Sequence, residues 1–240
     1  IAGVKMKNTD VMKRLRGPKG STVNVKVLRN GVDNLIDFCI TRDDIPIYSI
    51  DAAYMADPHT GYIRISQFAE KTPKEFGEAI EKLRRQGMKN LIIDLQDNGG
   101  GYLNAAQELA NHFLKKGDLI VYTEAPRSPS FKYIAEKVGD FTDGRVVVLV
   151  NNYSASASEI LSGAIQDHDR GAIVGRRTFG KGLVQRPFPF PDGSMIRLTV
   201  SKYYTPSGRC IQKPYVKGNL DDYQSDMKHR FESGEFMHPD

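Results

Sequence analysis

Apolar runs that alternate with helical patterns constrain the fold of this 240-residue chain more than any other feature. Residues 90–95 and 146–150 are short apolar runs typical of buried strands, and each precedes a segment whose apolar residues have helical spacing. Strands that alternate with helices favour an α/β core with helices packed on a sheet. The hydrophobic content of 40% is sufficient for a substantial core.

The first 43 residues form a separate small unit in this interpretation. The pattern predicts a helix followed by a β-hairpin: a helix at residues 10–15, capped by Asn8 or Thr9, and strands at 22–29 and 34–41, joined at Asn30-Gly31. A unit of this size is too small to be comfortably stable alone. Residues 42–46 mark the expected boundary with a larger unit.

The larger unit is expected to contain two well-patterned helices before residue 115. One begins at Thr72 with a capping box and Pro73 at its first position, and it ends near Gly87. The other follows residue 101 and ends near Leu114. Strands are expected at residues 47–52, 61–67, 90–95, 119–122, 146–150, 183–190 and 194–202, the last two forming a hairpin. The tail after residue 215 is polar and is expected to be loosely ordered.

Composition excludes several classes of function. The net charge of +5 is scattered along the chain rather than clustered, so a nucleic-acid surface is not expected. Cys39 and Cys210 have no metal-ligand spacing and do not settle the redox compartment, and no histidine pattern predicts a metal. No signal peptide or membrane span is evident. The chain begins in the middle of a pattern, so we expect it to be a piece of a longer protein.

The serine cluster of residues 153–160 lies between a predicted buried strand and a helix. Ser156 and Glu159 have the spacing of a capping box, and that pattern alone favours a purely structural role. A catalytic interpretation is also open. The N–H groups and positive dipole end of a helix at this position would stabilise a developing oxyanion.

Lys181 lies between two glycines, with Phe179 and Leu183 nearby. Most lysines are solvated surface residues. An apolar environment, however, favours the neutral amine, which can accept the proton of a serine nucleophile. The serine cluster and this lysine together predict serine hydrolysis without a catalytic histidine.

The same lysine segment has the spacing of a phosphate-binding loop. Gly182 stands where that loop needs Ser or Thr, and the prolines within residues 187–191 exclude the helix that should follow. A nucleotide site is therefore rejected.

The glycine-rich run of residues 98–101 lies between a predicted strand and a predicted helix. Its glycines could have a purely structural role, since they allow a turn with positive φ. Alternatively, their N–H groups could form an anion nest close to a reacting carbonyl. The dinucleotide fingerprint is absent, so no nucleotide cofactor is expected.

These elements, taken together and in this order, resemble the C-terminal processing peptidases, the tail-specific serine proteases of family S41 with a Ser/Lys dyad. The resemblance covers nearly the whole chain and depends on the ordered occurrence of six motifs, at residues 15–23, 61–68, 94–101, 154–160, 175–185 and 203–209. It implies a ClpP/crotonase-like α/β fold. It further implies that residues 1–43 are a partial PDZ domain lacking its first half and that residues 44–240 are the protease core.

The resemblance also implies a role for each site residue. Ser156 would be the nucleophile, Lys181 the general base and Gln185 the residue that orients the lysine. The oxyanion hole would use the backbone N–H of Ala157 and of one glycine, either Gly100 or Gly101, while Glu159 would have a supporting role. Gly99 stands where the family frequently has proline, a tolerable departure.

The implied activity is an endopeptidase that cleaves proteins near their C-termini through an acyl-enzyme, without a cofactor. Its partners would be protein or peptide substrates recognised by their C-termini. Its location would be the periplasm or cell envelope. The resemblance leaves open whether the protein forms an oligomer. The alternative is a non-catalytic module that keeps the fold to hold a peptide or other ligand. A complete dyad with Gln185 favours the enzyme, because a binding module would be expected to have lost one of these residues.

Overall fold

The computed structural model describes residues 5–44, 48–126, 128–215 and 220–237. Contacts divide the chain into two compact units, Ile1–Ile47 and Tyr48–Asp240. Part of the expected boundary and the first residue of the strand expected at residues 47–52 lie outside the described residues.

The first unit contains helix α1 (Asn8–Leu15) and an antiparallel hairpin of β1 (Thr22–Val27) and β2 (Ile36–Thr41). The predicted helix and hairpin are confirmed, but the helix cap is wrong, because the N-cap is Lys7 and it makes no side-chain cap bond. Arg42 links α1 to the hairpin. Its Nε donates to Leu15 O at 2.7 Å and its Nη1 donates to Thr22 O at 2.9 Å. That this unit is part of a PDZ domain stays a prediction.

The second unit mixes strands and helices along the chain. Its elements are β3 (Ile50–Met55), β4 (Thr60–Ile65), α2 (Thr72–Arg85), β5 (Asn90–Asp94), α3 (Leu103–Ala110), β6 (Leu119–Ala125), β7 (Ser128–Ile134), β8 (Val146–Val150), α4 (Ala157–Asp167), β9 (Ala172–Gly175), β10 (Leu183–Pro189), β11 (Met195–Tyr204) and α5 (Leu220–Glu232).

Within the described residues, one sheet has five strands in the order β3-β4-β5-β8-β9. The last four are parallel and β3 is antiparallel. Ile63, Ile93 and Val148 are paired across adjacent strands and are fully buried, which places the centre of the core on this sheet. The predicted α/β core is therefore confirmed. Because parallel strands place their carboxyl ends on one edge, the loops that follow β5 and β8 meet there.

The other sheet is antiparallel, with the strand order β10-β11-β6-β7. The predicted hairpin of β10 and β11 is confirmed, and a bulge interrupts its register between Val184 and Gln185. The sequence analysis missed β7, which contains Pro129, and β9, which is only four residues long. The proline weakens the strand signal of the seven-residue β7, and β9 is shorter than the runs on which strand predictions usually depend.

Two helix predictions in the second unit differ from the structure at the helix ends. Helix α3 ends at Ala110 rather than near Leu114. Helix α2 begins at Thr72 as expected, but its N-cap is Lys71. Glu75 of α2 accepts the N–H and hydroxyl of Ser49, at 2.8 and 2.7 Å, instead of closing a capping box.

The loosely ordered tail is also a wrong prediction, because α5 occupies it. This helix has little apolar pattern, and among its described side chains the buried one is the charged Arg230, which donates to the carbonyl groups of Arg177 and Thr178. No helix in the described parts of the chain is long and apolar enough to cross a membrane.

Candidate active site

The loop after β5 begins at a buried carboxylate. Asp94 accepts a hydrogen bond from Tyr62 Oη at 2.5 Å and one from Gln96 N at 2.8 Å. Burial and the Asp94 carboxylate raise the pKa of Tyr62 to about 12. Asp94 therefore fixes the start of the glycine-rich segment against β4.

Asn98 holds the glycine-rich segment in place through hydrogen bonds to β4 and to the serine cluster. It is fully buried, and its Nδ2 donates to Ile65 O at 2.8 Å while its Oδ1 accepts from Gly100 N at 2.8 Å. Its backbone oxygen accepts from Ala155 N at 3.0 Å and from Ser158 Oγ at 2.9 Å. Asn98 thus links the end of β4 to the serine cluster, a role that sequence reasoning missed.

The three serines of the cluster have different environments. Ser154 Oγ donates to Leu95 O at 2.7 Å and Ser158 Oγ donates to Asn98 O at 2.9 Å, and both side chains are fully buried. Ser156 is only half-buried. Ser154 and Ser158 therefore hold the two loops together, while Ser156 is left accessible.

Ser156 also has an unusual backbone conformation. Its φ of 57° and ψ of −112° place it outside the regions that non-glycine residues ordinarily occupy. Such a conformation costs on the order of 1–3 kcal/mol and persists only where surrounding contacts enforce it. It occurs at the sharp turn between β8 and α4, the kind of strand-to-helix turn that exposes a nucleophile.

The glycine-rich segment lies directly against this turn. A Cβ at Gly100 would lie 2.7 Å from Ser156 Cβ and 2.9 Å from Ala157 N, and one at Gly101 would lie 2.0 Å from Phe68 O. Both residues have positive φ, 96° and 147°, so only glycine fits at either position.

The N–H groups at this junction differ in their partners. Gly100 N–H is engaged, because it donates to Asn98 Oδ1. Gly101 and Ala157 N–H have no acceptor among the residues that the structure describes. Of the two glycines predicted for an oxyanion hole, Gly101 is thus the one whose backbone N–H is free, within the described chain, to donate to an oxyanion.

Glu159 connects the serine cluster with the lysine segment. Its carboxylate is buried and accepts four hydrogen bonds. Oε2 accepts from Ser156 N at 2.8 Å and from Lys181 N at 2.9 Å. Oε1 accepts from Thr178 Oγ1 at 2.7 Å and from Gly180 N at 2.6 Å. The capping-box contact to Ser156 N is therefore as predicted, but the contact to the lysine segment was missed.

Other contacts hold the lysine segment, residues 176–182, which we call the lysine loop. Phe179 N donates to Ser154 O at 3.0 Å, and Lys213 N donates to Gly180 O at 2.9 Å. Gly182 N donates to the side chain of Gln212 at 3.0 Å. The backbone on both sides of Lys181 is thus fixed.

The side chains of Lys181 and Gln185 take no part in this network within the described residues. Both are exposed, and within the described chain Lys181 Nζ makes no hydrogen bond or ion pair. The apolar environment expected around Lys181 is therefore not formed by these residues, because the strand that follows, β10, is itself largely exposed. The structure brings the backbones of Ser156 and Lys181 together but leaves the amine in solvent.

No group of three or more His, Cys, Asp or Glu side chains in the described ranges is arranged to hold a metal ion.

Comparison with known proteins identifies the family. The model of Peptidase family S41 matches residues 59–222. The carboxy-terminal-processing protease of Bartonella bacilliformis is 39% identical over 208 residues, which are 85% of this chain and 47% of that protein. A carboxyl-terminal-processing protease of Synechocystis sp. is 41% identical over 204 residues, 83% of this chain and 47% of that protein. Both relatives are bacterial, and the chain spans about half the length of each.

The fold agrees with this assignment. The solved structure of the photosystem II D1 C-terminal processing protease matches with a TM-score of 0.64 and 32% sequence identity. The match covers 86% of this chain and 57% of that one. The motifs, the mixed α/β fold and these relatives lead to one conclusion: the chain belongs to peptidase family S41.

Proposed function

We propose that this chain is the catalytic part of a serine endopeptidase that cleaves proteins near their C-termini. The observation that carries the proposal is the Glu159 carboxylate, whose Oε2 accepts from both Ser156 N and Lys181 N. A single buried atom thereby holds the backbones of a candidate nucleophile and a candidate base together. The names of the relatives, carboxy-terminal-processing proteases, support the same substrate class.

The proposed reaction follows from the positions of these groups. Ser156 Oγ attacks the scissile carbonyl while the neutral Lys181 amine accepts the hydroxyl proton. The resulting oxyanion is bound by Ala157 N–H and Gly101 N–H, at the N-terminus of α4. Lysine then returns the proton to the leaving amine, which departs and leaves an acyl-enzyme. A water molecule, deprotonated by Lys181, attacks the ester, and the proton passes back to Ser156 as the acid product leaves.

The exposed Lys181 amine must turn towards Ser156 for this reaction. Catalytic hydrogen bonds often tighten only when substrate is bound. A peptide lying in the cleft would exclude water from Lys181 and favour its neutral form. Gln185, four residues further along β10, is proposed to orient the amine.

The rest of the longer protein is proposed to select the substrate. Residues 1–43 would be the later part of a PDZ domain whose missing half grips the terminal carboxylate. The periplasm or cell envelope is the proposed location, by resemblance to the bacterial family.

A second candidate function is a non-catalytic module that holds a peptide. One observation favours it: Lys181 Nζ makes no hydrogen bond to Ser156 within the described residues. The two functions differ in whether a covalent acyl-enzyme forms.

The test is hydrolysis of a protein substrate with an unstructured C-terminal tail, followed by mass spectrometry of the products. The enzyme proposal expects internal tail cleavage by the parent chain and none by Ser156→Ala. Binding of the tail without cleavage by either protein would favour the binding module.

A further inference from the structure

Helix α5 reaches the lysine loop although it lies almost wholly beyond residue 222, where the match to the family model ends. The contacts come from its last turns and from the residues that follow. They are polar and directed at backbone carbonyl groups and the Arg177 side chain of the loop, so the sequence pattern of α5 gives no indication of them.

Arg230 makes the principal contact. Its side chain is only 4% exposed, unusually low for an arginine. Nη2 donates to Arg177 O at 2.6 Å and Nη1 to Thr178 O at 3.4 Å. A buried guanidinium is therefore fixed on two successive carbonyl groups of the lysine loop.

Glu235 binds both Arg230 and Arg177 and so links the end of α5 to the lysine loop by a second route. Its carboxylate binds Arg230 Nε at 2.8 Å and Arg177 Nη2 at 2.7 Å. Arg177, supported by Arg230, holds the pKa of Glu235 down at about 2. The carboxylate is therefore charged at any pH at which the protein would work, and it bridges the helix end and the loop.

Lys213 provides a second attachment of α5 to the same loop. Its amide donates to Gly180 O at 2.9 Å. Its ammonium lies 3.1 Å from Asp226 Oδ2, 4.2 Å from the ring centroid of Tyr223 and 4.8 Å from that of Phe179. Helix α5 is thus linked to the loop directly before Phe179, through Arg230, and indirectly after it, through Lys213.

The lysine loop needs such support because of how Lys181 is placed. Lys181 Nζ has no partner in the described chain, so its position depends entirely on the backbone beneath it. The loop binds Glu159 through the hydroxyl of Thr178 and through the backbone N–H groups of Gly180 and Lys181. Arg230 in turn binds the carbonyl group of Thr178, the residue whose hydroxyl Glu159 holds.

We propose that Arg230 and Glu235 are positioning residues for the general base, and that they act through Arg177 and Thr178 to hold the lysine loop on Glu159. The inference depends on the proposed Ser/Lys mechanism. It adds that the segment after the family match is required to complete the active site.

The test compares two charge-removing variants at the end of α5. Glu235→Gln removes the bridging carboxylate. Glu232→Gln removes an exposed carboxylate whose one ion pair among the described residues is with Lys228 on the same helix, at 3.7 Å. Glu235→Asp keeps the charge as a conservative variant. The rate of Ser156 labelling by a fluorophosphonate and the separate kcat and KM for a peptide are measured, together with hydrogen exchange in residues 176–182.

The positioning role predicts that Glu235→Gln lowers kcat and the labelling rate by about 10- to 100-fold with little change in KM, because small misplacements of catalytic groups cost this much. Loop exchange should accelerate in the same variant. Glu232→Gln should match the parent, and Glu235→Asp should recover part of the loss.

Two results would overturn the inference. If Ser156 is labelled in the parent, and Glu235→Gln labels at the parent rate with unchanged loop exchange, the positioning role is wrong while the proposed function stands. If Ser156 is not labelled in the parent, the proposed function fails and the positioning role fails with it.

Discussion

Glu159 is a buried carboxylate whose four partners are N–H and O–H donors rather than a cation. Such an arrangement needs both oxygen atoms as acceptors. Glu159→Gln keeps the size of the side chain but turns one acceptor into a donor that faces other donors. We expect a loss of about 1–3 kcal/mol in the free energy of unfolding.

The same substitution should slow the reaction of Ser156 with a fluorophosphonate well below the parent rate, at a temperature where both proteins are folded. Urea unfolding and labelling kinetics measure the two effects. An unchanged labelling rate in a folded Glu159→Gln protein would contradict the linking role of Glu159.

Lys181 can act as a base only in its neutral form, so the pH dependence of activity reports on it. We expect activity to rise with pH as the amine loses its proton, without the step near about 6.5 that a histidine base gives. Lys181→Arg should be inactive, because a guanidinium stays protonated. A pH–rate profile of the parent and an assay of the variant measure this, and an active Lys181→Arg enzyme would exclude the base role.

At the scale of elements, the sequence predicted best where the apolar pattern is strong. Strand β8 has the predicted bounds, Val146–Val150, because it is an uninterrupted apolar run. Helix α2 begins at the predicted residue because Pro73 and the regular spacing of its buried apolar residues both indicate a helix there. Helix α5 was not predicted, since its burial comes from Arg230 and carbonyl groups. Periodicity does not report polar contacts between distant segments.

Two carboxylates, each hydrogen-bonded to a distant segment, should make the free energy of unfolding of the second unit fall in acid. Asp167, at the end of α4, binds the amide and hydroxyl of Ser207 at 2.9 and 2.6 Å. Burial raises its pKa, but these hydrogen bonds outweigh burial and hold the pKa at about 2. The pKa of Glu235 is also about 2.

Because both pKa values are lower in the folded than in the unfolded protein, their stabilisation is present above pH about 4.5 and is lost as pH falls towards about 2. Urea unfolding at a series of pH values should give a free energy that falls through this window. Asp167→Asn and Glu235→Gln should each reduce the decrease in the free energy of unfolding as the pH is lowered. Equal slopes in parent and variants would show that other groups cause the acid sensitivity.

The order of motifs along the chain indicated which segments lie together at the candidate site, and the structure adds how they are joined. Ser156, Glu159 and the glycine-rich segment were all identified from the sequence. The roles of Asn98 and Arg230 were not, since each binds backbone groups of remote segments. The exposed position of Lys181 was also not predicted, because the residues that cover a side chain depend on the complete fold.

Half of each relative's length has no counterpart in this chain, which bears on substrate capture. Remote binding energy helps to position a scissile bond. We expect this chain to cleave slowly and to show little preference for a peptide acid over its amide, whereas a full-length relative should prefer the acid. Rates for both peptides with both proteins measure this, and equal preference would show that the missing part is not the selector.

The central claim is that Ser156, and not its two serine neighbours, is the nucleophile. The most direct measurement is mass spectrometric mapping of the fluorophosphonate adduct in the parent and in Ser154→Ala, Ser156→Ala and Ser158→Ala. We expect an adduct on Ser156 that is lost only in Ser156→Ala. The other two variants should still be labelled, although each loses a buried hydrogen bond and about 1–3 kcal/mol of stability. An adduct on Ser154 or Ser158, or labelling that persists in Ser156→Ala, would contradict it.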